Sequence, residues 1–232
     1  MTAHSTRLVL VPGLACTEDL FAEQIGSLRG KVAISVADHA RHNTMSAIAR
    51  AVLATAPHRF ALCGLSMGGY IAFEMVRQEP NRIEHLALLD TSALRHPRAD
   101  RTAPQANSNG TDRRIQIRPR YFMAVVRASG TARQRGAETV FKMMDDTGPE
   151  TFIRQQKAII SRPDSRSSLG AIHCPTLVLV GNEDALTPVS VARTIADGIA
   201  GSKLEIVQEC GHLSTMERPD AVTEALRAWI AW

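Results

Sequence analysis

The stretch that most constrains this chain runs from Phe60 to Val76. It opens with Phe60-Ala-Leu-Cys63, a short apolar run of the kind a buried strand shows. It closes with Ile71, Ala72, Met75 and Val76 at helical spacing, which predicts a helix with one apolar face. Between them lies Gly64-x-Ser66-x-Gly68, the spacing of a nucleophile elbow. A strand that turns straight into a helix strains the corner residue, and side chains two positions either way would collide with neighbouring elements. The serine hydroxyl then stands clear of the sheet at a helix N-terminus, whose partial positive charge favours a developing anion. The same glycines also suit a corner that serves packing alone. Catalysis therefore requires partners elsewhere in the chain.

The rest of the pattern supplies a frame for that corner. Strands are predicted at 7–12, 31–37, 60–65, 83–89, 176–181 and 203–208. Helices are predicted after Thr17, after Thr44, after the elbow, after Thr187 with Pro188 in first position, and from Pro219. Strands alternating with helices imply a parallel sheet covered on both faces. The alternation stops between Ala93 and Ser168. The polar run from Ala99 to Asp112 reads as a loop, followed by helical patterns around 121–128, 131–144 and 149–160. The expected organisation is a core of residues 1–92 and 169–232 with a helical cap, or lid, of residues 93–168.

A serine nucleophile needs a base, and the base needs an orienting acid. In an open α/β sheet, functional groups gather beyond the carboxyl ends of the strands. After the sixth strand comes Glu209-Cys210-Gly211-His212, and after the fifth comes Gly181-Asn182-Glu183-Asp184. The order Ser66, Asp184, His212 is that of nucleophile-elbow enzymes. Asp90, at the end of the fourth strand, is the rival acid, with Glu183 behind it. Asp38, His39 and His42 are spaced like metal ligands, but a polar loop accounts for them. Cys16 and Cys210 lie near the expected site without sitting at a strand-to-helix corner.

Taken together, four motifs resemble the α/β-hydrolase family over nearly the whole chain. They are Val11-Pro12-Gly13-Leu14, Gly64-Leu-Ser66-Met-Gly68-Gly69, Gly181-Asn-Glu-Asp184-x-x-Thr187-Pro188, and Gly211-His212 followed by Glu217-Arg218-Pro219. The chain is similar to enol-lactone hydrolases, carboxylesterases and acyl-carrier-protein methyl ester esterases. The resemblance implies an oxyanion hole formed by the backbone N–H groups of Leu14 and Met67. It also implies a sheet of about six strands, trimmed of two that the family often carries first. Pro12-Gly13 stands where the family often has His-Gly. Ser66 argues against relatives that use an aspartate nucleophile.

The expected activity is hydrolysis of an ester, thioester or lactone through an acyl-enzyme on Ser66, without a cofactor or a metal. The alternatives are acyl transfer or carbon–carbon bond hydrolysis with the same triad, or ligand binding on this fold with little turnover. Composition is that of an ordinary globular chain, 44% hydrophobic and 22% charged. The N-terminal residues leave no room for a signal peptide before the first strand, and the four scattered cysteines read as reduced thiols, so the expected location is cytoplasmic. No nucleic-acid or membrane partner is expected, and oligomeric state is not readable. Charge is uneven. Ten arginines against two acids between Arg95 and Arg135 give that stretch +8 of a chain whose net charge is +4. Arg113 and Arg114, with Tyr121 and Phe122, are the candidate contacts to an anionic small-molecule substrate.

Overall fold

In the computed structural model, residues 6–96 and 135–232 are described. Six strands form one sheet: β1 (Arg7–Val11), β2 (Ala33–Val36), β3 (Phe60–Leu65), β4 (Ile83–Leu89), β5 (Thr176–Gly181) and β6 (Lys203–Val207). Their order is β2-β1-β3-β4-β5-β6 and every pairing is parallel. The apolar runs of β3 and β5 are buried along their whole length, whereas the edge strands β2 and β6 alternate in exposure. That difference is what sequence pattern distinguishes: continuous apolar runs belong inside a sheet covered on both faces, and alternation belongs at its edges.

The helices are α1 (Ala22–Leu28), α2 (Met45–Thr55), α3 (Met67–Gln78), α4 (Arg135–Ser161), α5 (Val189–Gly198), α6 (Ser214–Glu217) and α7 (Pro219–Ile230). Helix α2 packs on α3, and α1 packs on α7. The winding explains the two layers. The chain starts at β1, steps outward to β2, then passes back over β1 to reach β3. With right-handed crossovers, a reversal of direction sends the connecting helices to opposite faces. The reversal also opens a crevice beyond the carboxyl ends of β1 and β3, the place where such sheets bind ligands. Helix α3 anchors that crevice by burying Met67, Ile71, Ala72, Phe73, Met75 and Val76. Each of its larger apolar side chains contributes about 1.5–3 kcal/mol by leaving water.

Several local expectations meet the structure directly. Thr17 and Thr44 cap the turns they precede, accepting from Asp19 N at 3.4 Å and Ala47 N at 3.3 Å. Between Thr17 and α1, however, the first turn of Glu18–Phe21 is 3-10 rather than α. The helical patterns near 131–144 and 149–160 join as α4, broken at Gly148, where φ is 72°. Glycine accepts that left-handed conformation, and Pro149 then opens the second segment. One expectation fails. Thr187 does not cap α5: Pro188 is the N-cap residue, without a side-chain bond, because the threonine hydroxyl is committed elsewhere. The polar stretch from Ala99 to Asp112 and the helix expected at 121–128 lie outside the described residues. Among the described residues, no helix is long and apolar enough to cross a membrane.

Candidate active site

Ser66 sits between β3 and α3 with φ 54° and ψ −111°, outside the regions an L-residue adopts freely. Neighbouring backbone holds it there. Its N–H donates to Leu89 O at 2.9 Å, and the Thr91 hydroxyl donates to Ser66 O at 2.7 Å. The glycines of the motif do what their spacing predicts. A Cβ on Gly64 would collide with the Gly68 carbonyl, and one on Gly68 would collide with the Val11 carbonyl. Any larger residue at either position would push α3 away from the sheet.

Three strand ends converge on the serine. His212, in the loop after β6, places Nε2 2.9 Å from Ser66 Oγ. Its other nitrogen, Nδ1, lies 2.8 Å from Asp184 Oδ2, in the loop after β5. Asp184 is fully engaged: Oδ1 accepts from Leu186 N at 2.8 Å and Thr187 N at 2.9 Å, while Oδ2 also accepts from the Thr187 hydroxyl at 2.6 Å. Such side-chain to backbone bonding is the ordinary talent of Asp in tight turns. With Asp184 accepting at Nδ1, that nitrogen carries the proton and Nε2 faces the serine as an acceptor.

Electrostatics follow from these contacts. Burial disfavours a charged His212, but the hydrogen bond and charge of Asp184, with the charges of Asp90 and Glu217, more than offset it. The net shift of His212 is upward. Burial likewise pushes Asp184 up, and its bonds to His212 and Thr187 overcome that and hold it below the ordinary carboxylate range. The pair is therefore built to favour an imidazolium beside a carboxylate, the charge state a general base reaches after taking a proton.

The loop after β1 passes close by. A Cβ on Gly13 would lie 3.6 Å from Ser66 Cβ. Leu14 follows it, and Met67 opens α3 directly after the serine; both are buried. These positions follow the carboxyl ends of β1 and β3.

A family model described as "Alpha/beta hydrolase family" matches residues 8–225 of the chain. The chain belongs to the alpha/beta hydrolase family. A thermophilic esterase from Thermogutta terrifontis has a similar structure, with a TM-score of 0.80 and 28% identity, over 97% of this chain and 89% of the esterase. The pimeloyl-[acyl-carrier protein] methyl ester esterase of Aromatoleum aromaticum is 25% identical over 198 residues, which span 78% of each chain. The monoacylglycerol lipase abhd6-A of Xenopus laevis is 30% identical over 172 residues, 69% of this chain but 51% of the lipase. The chain thus spans about half the length of that lipase.

Within this alpha/beta hydrolase, the other sequence candidates separate cleanly. Asp90 does not pair with His212. Its oxygens accept from Gly181 N and Ser214 N, both at 3.1 Å, tying the acid loop to the base loop. Glu183 is exposed. His39 and His42 diverge: His42 is exposed, while His39 is buried with Nε2 3.0 Å from Gly13 O. Among the described residues, no three His, Cys, Asp or Glu side chains gather to hold a metal. Burial pushes the Cys16 thiol up to about 12 and moves the Cys210 thiol up as well, which removes the thiolate that nucleophilic attack requires. Arg113, Arg114, Tyr121 and Phe122 lie outside the described residues.

Two participants have roles that motif spacing did not reveal. Glu217 accepts from Gly211 N at 2.7 Å and from Leu213 N at 2.9 Å, clamping the backbone on both sides of His212. Gln155, on α4, reaches across to accept the Ala15 N–H at 2.9 Å. The run Gly211-His212 to Glu217 carried a signal for the first. The second is a contact between residues 140 positions apart, which no local pattern encodes.

Proposed function

We propose that this chain is a serine hydrolase that cleaves a carboxylic ester, thioester or lactone by way of an acyl-enzyme on Ser66. The observation that carries the reading is the unbroken relay from Ser66 Oγ to His212 Nε2 at 2.9 Å and from His212 Nδ1 to Asp184 at 2.8 Å. In this reading Ser66 Oγ attacks the carbonyl carbon while His212 Nε2 takes its proton. The tetrahedral intermediate places its oxyanion against the N–H groups of Leu14 and Met67, each such donor being worth about 2.7–4 kcal/mol in enzymes of this kind. His212 then protonates the leaving oxygen or sulfur as the carbon–heteroatom bond breaks. Water, deprotonated by the same nitrogen, releases the acid and restores Ser66. Asp184 keeps the imidazole in the required tautomer and stabilises its cation. Residues 93–168 act as a cap that selects substrate over this crevice, with residues 1–92 and 169–232 as the core.

The test is covalent labelling of the whole chain with a fluorophosphonate, which reacts only with an activated serine. Mass spectrometry should place a single adduct on Ser66, and Ser66→Ala should abolish it together with esterase, thioesterase and lactonase turnover. An adduct at another residue, or none on folded protein, overturns the assignment. A panel of esters, thioesters and lactones of graded acyl length then sorts the substrate class.

A further inference from the structure

Strand order says which way the peptide before Leu14 faces. The sheet runs β2-β1-β3, so the loop after β1 is flanked by His39 beyond β2 and by Ser66 beyond β3. His39 is 6% exposed, and its Nε2 lies 3.0 Å from the Gly13 carbonyl oxygen. A carbonyl only accepts, so Nε2 carries the proton and donates. Cys16 N donates to the same oxygen at 3.2 Å. Among the described residues no peptide bond is cis. In a planar trans peptide the C=O and N–H point to opposite sides. A Gly13 C=O held on the β2 flank therefore turns the Leu14 N–H towards the β3 flank, where Ser66 stands. The next peptide is held too, since Ala15 N donates to Gln155 Oε1 at 2.9 Å.

We propose that His39 is a positioning residue: by holding the Gly13 carbonyl it aims the Leu14 N–H at the oxyanion that forms on the Ser66 adduct. This rests on the serine-hydrolase reading above. Burial lowers the His39 pKa, and its backbone bonds to Gly13 and Ala37 and the nearby Asp38 charge only partly oppose that, so the neutral ring is favoured. A chain that carries Pro12 beside Gly13 thus receives the loop's side-chain donor from the neighbouring strand end.

The experiment measures the rate of Ser66 labelling by a fluorophosphonate, whose phosphoryl oxygen occupies the oxyanion position. The variants are His39→Phe, which keeps a ring without a donor, and His39→Gln, which returns an N–H at similar reach. His39→Phe should slow labelling about 10- to 100-fold, as a slightly misaimed donor does. His39→Gln should recover most of that rate. Melting temperature is read alongside, and His39→Asn, too short to reach Gly13, replaces the Phe variant if that one does not fold. Unchanged labelling in the donorless variant overturns the proposal, as does a loss that His39→Gln fails to restore. Ser66→Ala separates the two readings. If it still labels, the serine mechanism is wrong; if it is inert while His39→Phe labels at the full rate, only the role of His39 is lost.

Discussion

Asp90 and Asp184 end the neighbouring strands β4 and β5, or the turn just after, and both are buried, at 0% and 3% exposure. They nonetheless titrate in opposite directions. Asp90 accepts two backbone N–H groups, and burial prevails, pushing its carboxyl up to about 7. Asp184 accepts two backbone N–H groups, the Thr187 hydroxyl and the His212 ring, and these overcome the same burial. The difference teaches that depth alone does not set the charge of a carboxyl. What does is a partner that becomes a cation, plus enough donors to keep the carboxylate ionised while it waits. Asp90 shows what a buried carboxyl becomes when burial outweighs its donors: a bracket between loops.

The largest effect expected from this contrast is at Asp184. Asp184→Asn should lower kcat about 10³- to 10⁴-fold through the wrong imidazole tautomer, while Asp90→Asn should stay within about tenfold of wild type. In the wild type His212 must be neutral to act, so kcat/KM should rise with pH through a midpoint above the ordinary imidazole value of about 6.5. Loss of the Asp184 charge should move that midpoint down. A steady-state pH profile of the three proteins on a neutral ester checks both points. An Asp90 variant more damaged than the Asp184 variant would reverse the assignment of the acid.

A smaller effect sharpens the comparison with a third carboxylate. Glu217 likewise accepts from backbone N–H groups, and it grips the residues on either side of His212. Glu217→Gln keeps one acceptor and loses the other, so kcat should fall about tenfold from a displaced base. The orphaned N–H should lower stability by about 1–3 kcal/mol. Denaturant melts and kinetics on the same preparation measure the two together. Full activity with lowered stability would make Glu217 a bracket like Asp90.

The smallest effect on turnover comes with a thermodynamic signature. The Asp90 carboxyl, at about 7 in the folded chain, lies above its unfolded value of about 3.9. Folding therefore takes up a proton between those values, and the stability this group lends is full below pH 4 and lost as pH rises through 7. Asp90→Asn removes that dependence. Its melting temperature relative to wild type should improve between about pH 4 and pH 8. A difference flat with pH would show that Asp90 titrates as an ordinary carboxyl and that its two donors suffice.

Much of this was legible before any coordinates. The elbow could be read because serine between spaced glycines is a steric demand as well as a chemical one. The meeting of Asp184 and His212 beside Ser66 could be read because a parallel sheet gathers the loops after its strands at one end. Thr187 misled, since a threonine before Pro188 looks like a cap when its hydroxyl in fact belongs to Asp184. His39 looked like part of a polar loop because nothing local reveals that β2 lies beside β1 and brings it to Gly13. Gln155 was invisible for the same reason at longer range. Burial decided the cysteines, and burial is a property of the assembled chain.

The corner at Ser66 has a consequence for how such a protein can change. A non-glycine residue at φ 54° and ψ −111° costs on the order of 1–3 kcal/mol, a sizeable share of a domain's margin. Glycine would relieve it and remove the hydroxyl. Selection for durability alone thus pulls against selection for chemistry at this one codon, and a lineage freed from its substrate would be rewarded for losing the hydroxyl first. A serine held in so unwelcome a conformation is what the proposed acyl-enzyme route would have to maintain.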